Sequence, residues 1–212
     1  MGKEFLEIFE QWAGTYDDTV TGHDIEYREV FKHYDRLLQM VADRAYGHVV
    51  EFGPGTGNLT TKFIEKGLKV TGIEPSPSMR ALAIEKVGKQ SSIIDGDFLS
   101  FSVDQPIDIF ASSYAFHHLT DEEKGTAIAK YGKLLATGGK IVFADTMYES
   151  ADAYKQAIKK AVEDGFHNLA EDLQREYYTT IPFLKGLLEE NGFTAAFEQC
   201  NDFVWIMEGV KK

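Results

Sequence analysis

The stretch EFGPGTGNLT, residues 51–60, places three glycines in five positions directly after the apolar run HVV. Glycine loses more conformational freedom on folding than any other residue, so three together need a reason. Either the backbone turns tightly there, or a ligand lies so close that a side chain would be in the way. The flanking runs say where the loop sits. HVVEF (48–52) predicts a strand and NLTTKFIEKG (58–67) a helix, and the alternation continues downstream. LKVTGIE (68–74), SSIID (91–95), IDIFASS (107–113) and GKIVFAD (139–145) read as strands, with helices over SPSMRALAIEKV (76–87) and DEEKGTAIAKYGKLL (121–135). Such alternation marks an α/β fold, a parallel sheet with helices on both faces.

Outward from this core, residues 2–18 predict an amphipathic helix, because Phe5, Phe9, Trp12 and Tyr16 fall on one face of a 3.6-residue period. A second helix is expected from Asp24 to Ala45, so that residues 1–45 form an N-terminal helical cap on a core of 46–212. Residues 149–191 predict mostly helix, more than one crossover needs, and give a helical insertion at about 149–179. The chain closes with TAAFEQC (194–200) and FVWIMEGV (203–210), two β runs around an Asn-Asp turn. A closing antiparallel hairpin is foreign to the plain dinucleotide-binding fold. The 212 residues, 43% hydrophobic, suit one domain.

The formal charge of −12, with no basic patch longer than a Lys-Lys pair, disfavours a nucleic-acid partner. No stretch is long and apolar enough for a membrane span, and acids interrupt the N-terminus where a signal peptide needs an apolar run. One cysteine, Cys200, excludes an internal disulfide and any zinc site built on several thiolates. A cytoplasmic location is expected, and the oligomeric state is not written in the sequence.

In this frame the glycine loop lies at the carboxyl edge of the sheet, where doubly wound folds bind ligands. Gly53, Gly55 and Gly57 give G-x-G-x-G, with Asn58 where the dinucleotide fingerprint has its third glycine. Glu74 stands 21 residues after Gly53 at the end of the second strand. A carboxylate there can accept hydrogen bonds from both hydroxyls of a ribose. Asp97 and Phe98, in GDF at the end of the third strand, are candidates for an adenine amino group and an adenine ring, with Asp95 as the competing acid. An ordinary Asp-Gly turn is the bland alternative.

With these motifs the sequence resembles the class I S-adenosylmethionine-dependent methyltransferases. The resemblance runs from about His48 to the C-terminus and rests on EFGPGTGNLT, GIEPS, GDF, SSYAFHHL and LLATGGKIVFAD. The N-terminal helices, WAGTYDDTV, EPSPSMR and DFVWIME are similar more specifically to the YrrT-like methyltransferases of Gram-positive bacteria. The resemblance implies a Rossmann-like, seven-stranded, mostly parallel sheet whose last strand is antiparallel, with S-adenosyl-L-methionine as cofactor. That ligand has no pyrophosphate, so neither a third glycine nor a basic partner is required.

Methyl transfer from a sulfonium needs orientation and desolvation, and a general base only if the acceptor must lose a proton. His117 and His118, after the fourth strand, are the candidate bases, one expected to face the ligand and the other to pack or cap a helix; both being structural is the alternative. Adjacent histidines with no further ligand at helical or loop spacing give no metal site. SSYAFHH lacks the Pro-Pro-aromatic tetrapeptide usual in enzymes that methylate nucleobase amines or glutamine amides, which leaves a small soluble acceptor. Tyr16 is the candidate to cover the cofactor from the N-terminal helix. A domain that binds S-adenosylmethionine without transfer, or a nicotinamide-dependent oxidoreductase, are the alternatives.

Overall fold

Strand β1 (His48–Phe52) is buried at all five positions. Its alternate side chains serve two cores, Val49 on one face and Val50 and Phe52 on the other. This is the mark of a central parallel strand covered on both sides. The computed structural model describes Asp17, Val20 and residues 24–212. The expected helix over 2–18 and the candidate Tyr16 lie outside the described residues, Asp17 excepted.

Around β1 the sheet adds β2 (Lys69–Ile73), β3 (Ser92–Ile94), β4 (Ile109–Ser113), β5 (Lys140–Tyr148), β7 (Phe193–Gln199) and β8 (Val204–Lys211), in the order β3-β2-β1-β4-β5-β8-β7. The strands from β3 to β5 are parallel, and β8 runs antiparallel to both neighbours, with Asp145 opposite Trp205. The expected seven strands and reversed last strand are therefore present. An eighth, the two-residue β6 (Thr179–Thr180), pairs with the end of β5, inside a region read as helix.

On one face lie α1 (Tyr34–Asp43) and α2 (Asn58–Glu65), which bury Leu37, Leu38, Val41, Leu59 and Phe63 against Val49, Ile109 and Val142. α3 (Pro77–Val87) starts sharply: Ser76 Oγ accepts the Met79 N–H, and Pro77 occupies the first turn. On the other face α4 (Asp121–Leu134) opens with a Thr120–Glu123 capping box and, with α7 (Ile181–Glu190), covers Phe110, Phe143 and Met207. The insertion forms α5 (Ala151–Glu163) and α6 (His167–Arg175), which close a third core with Tyr27, Val30 and Phe31. Among the described residues no helix is long and apolar enough to cross a membrane.

The helix expected from Asp24 to Ala45 is corrected. Residues 24–33 form turns, and the helix begins only at Tyr34. His33 sits at φ 64°, a left-handed conformation that a right-handed helix cannot contain. The aromatic spacing of Tyr27 and Phe31 serves packing against α5 and α6 instead. α1 consequently lies on a face of the sheet, not over its carboxyl edge.

Candidate functional site

The loop after β1 answers the question its glycines raise. Gly53, Gly55 and Gly57 take φ of 63°, 57° and 90°, so all three use backbone that other residues rarely adopt. Turn geometry is thus one reason for them. Their surroundings separate a second. A Cβ on Gly53 would fall 2.9 Å from Ala115 Cβ, and one on Gly57 would touch Ala83, so both are packed. A Cβ on Gly55 would meet nothing within 4 Å. Gly55 borders a cavity of about 60 Å³ whose wall includes Gly53, Glu74, Asp97, Phe98, Tyr114 and His118. Four strand ends of the sequence reading thereby reach one place.

Glu74 is buried and spans the loop. Oε2 accepts the Gly55 N–H at 2.9 Å, and Oε1 accepts the Ser76 N–H at 2.9 Å. The acid at the end of β2 thus fixes the glycine loop as well as facing the cavity. Asp97 holds its own turn: Oδ1 accepts the N–H groups of Leu99 and Ser100 at 2.8 and 2.9 Å. Oδ2 carries neither bond. Asp95 pairs with Arg80 at 2.9 Å and is absent from the cavity wall, so Asp97 is the acid the fold brings to the site. Phe98 forms part of the wall, but its ring is 2% exposed and stacks on Phe52 at 4.8 Å between centroids. It is a fixed floor, not a ring free to fold over a ligand.

The two histidines separate. His118 lines the cavity and His117 does not. Each holds a buried carboxylate: His117 Nδ1 lies 2.6 Å from Asp145 Oδ1, and His118 Nδ1 lies 2.8 Å from Glu176 Oε2. Asp145 Oδ2 also accepts the His117 backbone N–H at 3.0 Å. Burial alone would lower the His117 pKa, but the charge and hydrogen bond of Asp145, joined by the Glu176 charge, together raise it above the ordinary value. Burial likewise pushes Asp145 up, and His117 more than offsets it, leaving the carboxyl below its usual range. Both shifts favour the charged forms of the two partners. For His118, burial and the adjacent His117 charge lower the pKa despite Glu176. Burial would raise Glu176, but the bond to His118 and the charge of His117 hold it low. His118 is therefore the neutral imidazole of the two, donating Nδ1–H to an ionised carboxylate.

The sequence gives no sign of Glu176, which arrives from the end of α6, 58 residues from His118. Buried Lys124 secures that arrival by donating to the carbonyls of Leu119 and Tyr177, and the Tyr177 N–H bonds His117 O at 3.0 Å. Glu176 also supplies what the sequence reading found missing for a metal, since ligand atoms of His117, His118 and Glu176 lie within 4.8 Å of one another. Both imidazole Nδ1 atoms are already committed to carboxylates, so the cluster is read as two imidazole–carboxylate pairs. Asp145, the last residue of the strand read from GKIVFAD, lies inside β5, which runs on to Tyr148, and it stands one residue beyond the pairing of Ala144 with Ser113 at the end of β4. Tyr114, also unflagged by the sequence, sits at φ 52° directly after β4 with its ring against Phe31 and Tyr34.

From the N-terminal side Asp17 reaches the outside of the glycine loop. Its Oδ1 accepts from Thr56 Oγ1 at 2.7 Å and Asn58 Nδ2 at 3.0 Å, and its Oδ2 pairs with Lys86 Nζ at 2.9 Å. Asn58, where a dinucleotide loop has glycine, is thus a clasp for the chain preceding the domain core.

Residues 49–139 match the family described as "Methyltransferase domain". The chain is 57% identical to an uncharacterized methyltransferase of Geobacillus kaustophilus, over 100% of this chain and 99% of that one. It is 55% identical to one of Bacillus thuringiensis, over the full length of both. Among solved structures it is similar to the magnesium protoporphyrin IX methyltransferase of Synechocystis with bound SAH, at a TM-score of 0.72 and 16% identity, covering 97% of this chain and 98% of that one. It is also similar to human N-acetylserotonin methyltransferase in complex with SAM, at a TM-score of 0.69 and 15% identity, covering 100% of this chain and 60% of that one.

Proposed function

We propose that this chain, which belongs to the methyltransferase family, transfers the methyl group of S-adenosyl-L-methionine to a small soluble acceptor. The observation that carries the reading is the single cavity in which Gly55, Glu74, Asp97 and His118 meet. The family sets aside the nicotinamide alternative.

The residues present fit the cofactor. The unfilled space beside Gly55 admits an amino-acid end against the backbone. A carboxylate offers about four acceptor sites, so Glu74 can take ribose hydroxyls in addition to the N–H groups of Gly55 and Ser76. Asp97 would accept a hydrogen bond from an adenine amino group, and Phe98 would supply an apolar floor. When bound, the cofactor supplies an electrophilic methyl group on a sulfonium sulfur.

The protein's own contribution is then orientation, exclusion of water and proton handling. His118 is kept neutral and oriented by Glu176, so its Nε2 takes the proton of an acceptor O–H, N–H or S–H. His117, charged and tied to Asp145, keeps the neighbouring ring neutral and anchors the loop. The cavity of about 60 Å³ is well below the ~300–1,000 Å³ of ligand pockets. Entry therefore needs the cavity wall to widen, and the Asp17 contacts on the glycine loop are where we place that release.

Incubation with methyl-labelled S-adenosylmethionine and a metabolite extract, followed by mass spectrometry, tests the acceptor class. The reading expects an enzyme-dependent labelled product of low mass. Label confined to protein or nucleic acid contradicts it.

A further inference from the structure

A second cavity, of about 300 Å³, lies among α5, the start of α6 and the β7–β8 turn, and shares no wall residue with the cofactor cavity. Its volume is at the lower end of the range for ligand pockets. Four aromatic side chains line it: Tyr148 from β5, Phe166 from before α6, Phe203 from just before β8 and Trp205 from its start. Tyr148 is 5% exposed, and its hydroxyl is the one buried side-chain polar atom without a hydrogen-bond partner among the described residues.

The charge of the lining is one-sided. Five acids border the cavity and one base, Lys160, which is paired with Asp164 at 2.5 Å. Glu26 is engaged by the backbone N–H groups of Asn168 and Leu169, and Glu29 by Lys32. Glu149 and Asp202 make no ion pair or hydrogen bond among the described residues, and both are exposed. Two unpaired carboxylates thus stand beside an aromatic wall.

We propose that this cavity binds a small organic ammonium ion with an apolar body. Aromatic faces attract a cation through their negative quadrupole, most strongly where water is excluded. The carboxylates of Glu149 and Asp202 add a field that favours positive charge and rejects anions. The apolar wall takes the hydrocarbon part. The site goes beyond the methyl-transfer reading, and nothing in it depends on that reading. It sits on the same insertion that ends at Glu176, the partner of His118.

Calorimetric titration with phenethylammonium, its neutral analogue 2-phenylethanol and the anion phenylacetate tests this. Saturable binding of the ammonium is expected, at least about tenfold tighter than the alcohol, with no binding of phenylacetate. In the Glu149→Gln/Asp202→Asn double variant, whose changes are at exposed positions, the preference for ammonium over alcohol should collapse. S-adenosylhomocysteine titrated in parallel should bind both proteins equally. Equal affinity for ammonium and alcohol in the unmodified protein, or no saturation by millimolar ammonium while S-adenosylhomocysteine still binds, would overturn the proposal and leave the transfer reading intact.

Discussion

Glu176 Oε2 lies 2.8 Å from His118 Nδ1, and both side chains are more than nine-tenths buried. A carboxylate in that position selects the tautomer with the proton on Nδ1 and leaves the basic lone pair on Nε2. The relationship makes Glu176 a positioning residue. Glu176→Gln should leave S-adenosylhomocysteine affinity within a few-fold and lower turnover, while shifting the acidic limb of the pH–rate profile. His118→Ala should cost on the order of a hundredfold to ten-thousandfold in turnover. Steady-state kinetics with the acceptor found in the extract screen reads both. An unchanged pH profile in Glu176→Gln would show that the contact is only structural.

His117 and Asp145 should behave differently, because theirs is a charged pair. Removing one member of a buried ion pair destabilises by about 3–5 kcal/mol. Asp145→Asn is therefore expected to lower the urea midpoint sharply, well beyond the effect of His118→Ala. Comparable midpoints for the two variants would remove the charge assignment.

Glu51 gives the clearest pH dependence. Burial raises its pKa from 4.5 to about 8, opposed by the hydrogen bond from Thr60 and reinforced by the Glu74 charge. The folded state holds a proton that the unfolded state has lost, so this contribution is fully present below pH 4.5 and is lost as pH rises toward 8. At about 1.4 kcal/mol per pH unit, the loss by neutral pH is of the order of 3 kcal/mol. Glu51→Gln keeps an acceptor for Thr60 and carries no charge. Its unfolding free energy should change less between pH 5 and pH 8 than that of the unmodified protein, in urea titrations at both. Parallel losses would show that Glu51 ionises normally.

The Asp17 clasp on Thr56, Asn58 and Lys86 predicts a kinetic effect more than a stability effect. A half-exposed ion pair is worth about 0–1 kcal/mol, so Asp17→Ala should melt close to the unmodified protein. Release of S-adenosylhomocysteine, followed by stopped flow, should be several-fold faster if the N-terminal chain covers the ligand. Identical release rates would show that this chain merely packs.

Much of this site was legible in sequence because one rule generates it. Ligands of a parallel sheet gather at the carboxyl ends of its strands, and Gly55, Glu74, Asp97 and His118 each follow one. The parallel sheet came from the same alternation, and the reversed last strand from the family resemblance together with the closing hairpin. What escaped is what no local period encodes. Glu176 meets His118 only after two inserted helices, and no spacing links positions 118 and 176. His33 delays the helix expected from Asp24 until Tyr34 by adopting a left-handed conformation for which a histidine gives little warning. Phe98 lies in the cavity wall, but its ring belongs to the core because Phe52 and Phe116 pack against it.

The central claim is that this cavity holds S-adenosylmethionine with its ribose on Glu74. Calorimetric titration of S-adenosylhomocysteine and NAD into the unmodified protein and into Glu74→Ala, with melting curves to confirm folding, tests it most directly. The account predicts binding of S-adenosylhomocysteine, none of NAD, and a loss of about 1.5–3 kcal/mol of affinity in the folded variant, the range for hydrogen bonds to a charged group. Unaltered affinity in Glu74→Ala, or a preference for NAD, would contradict it.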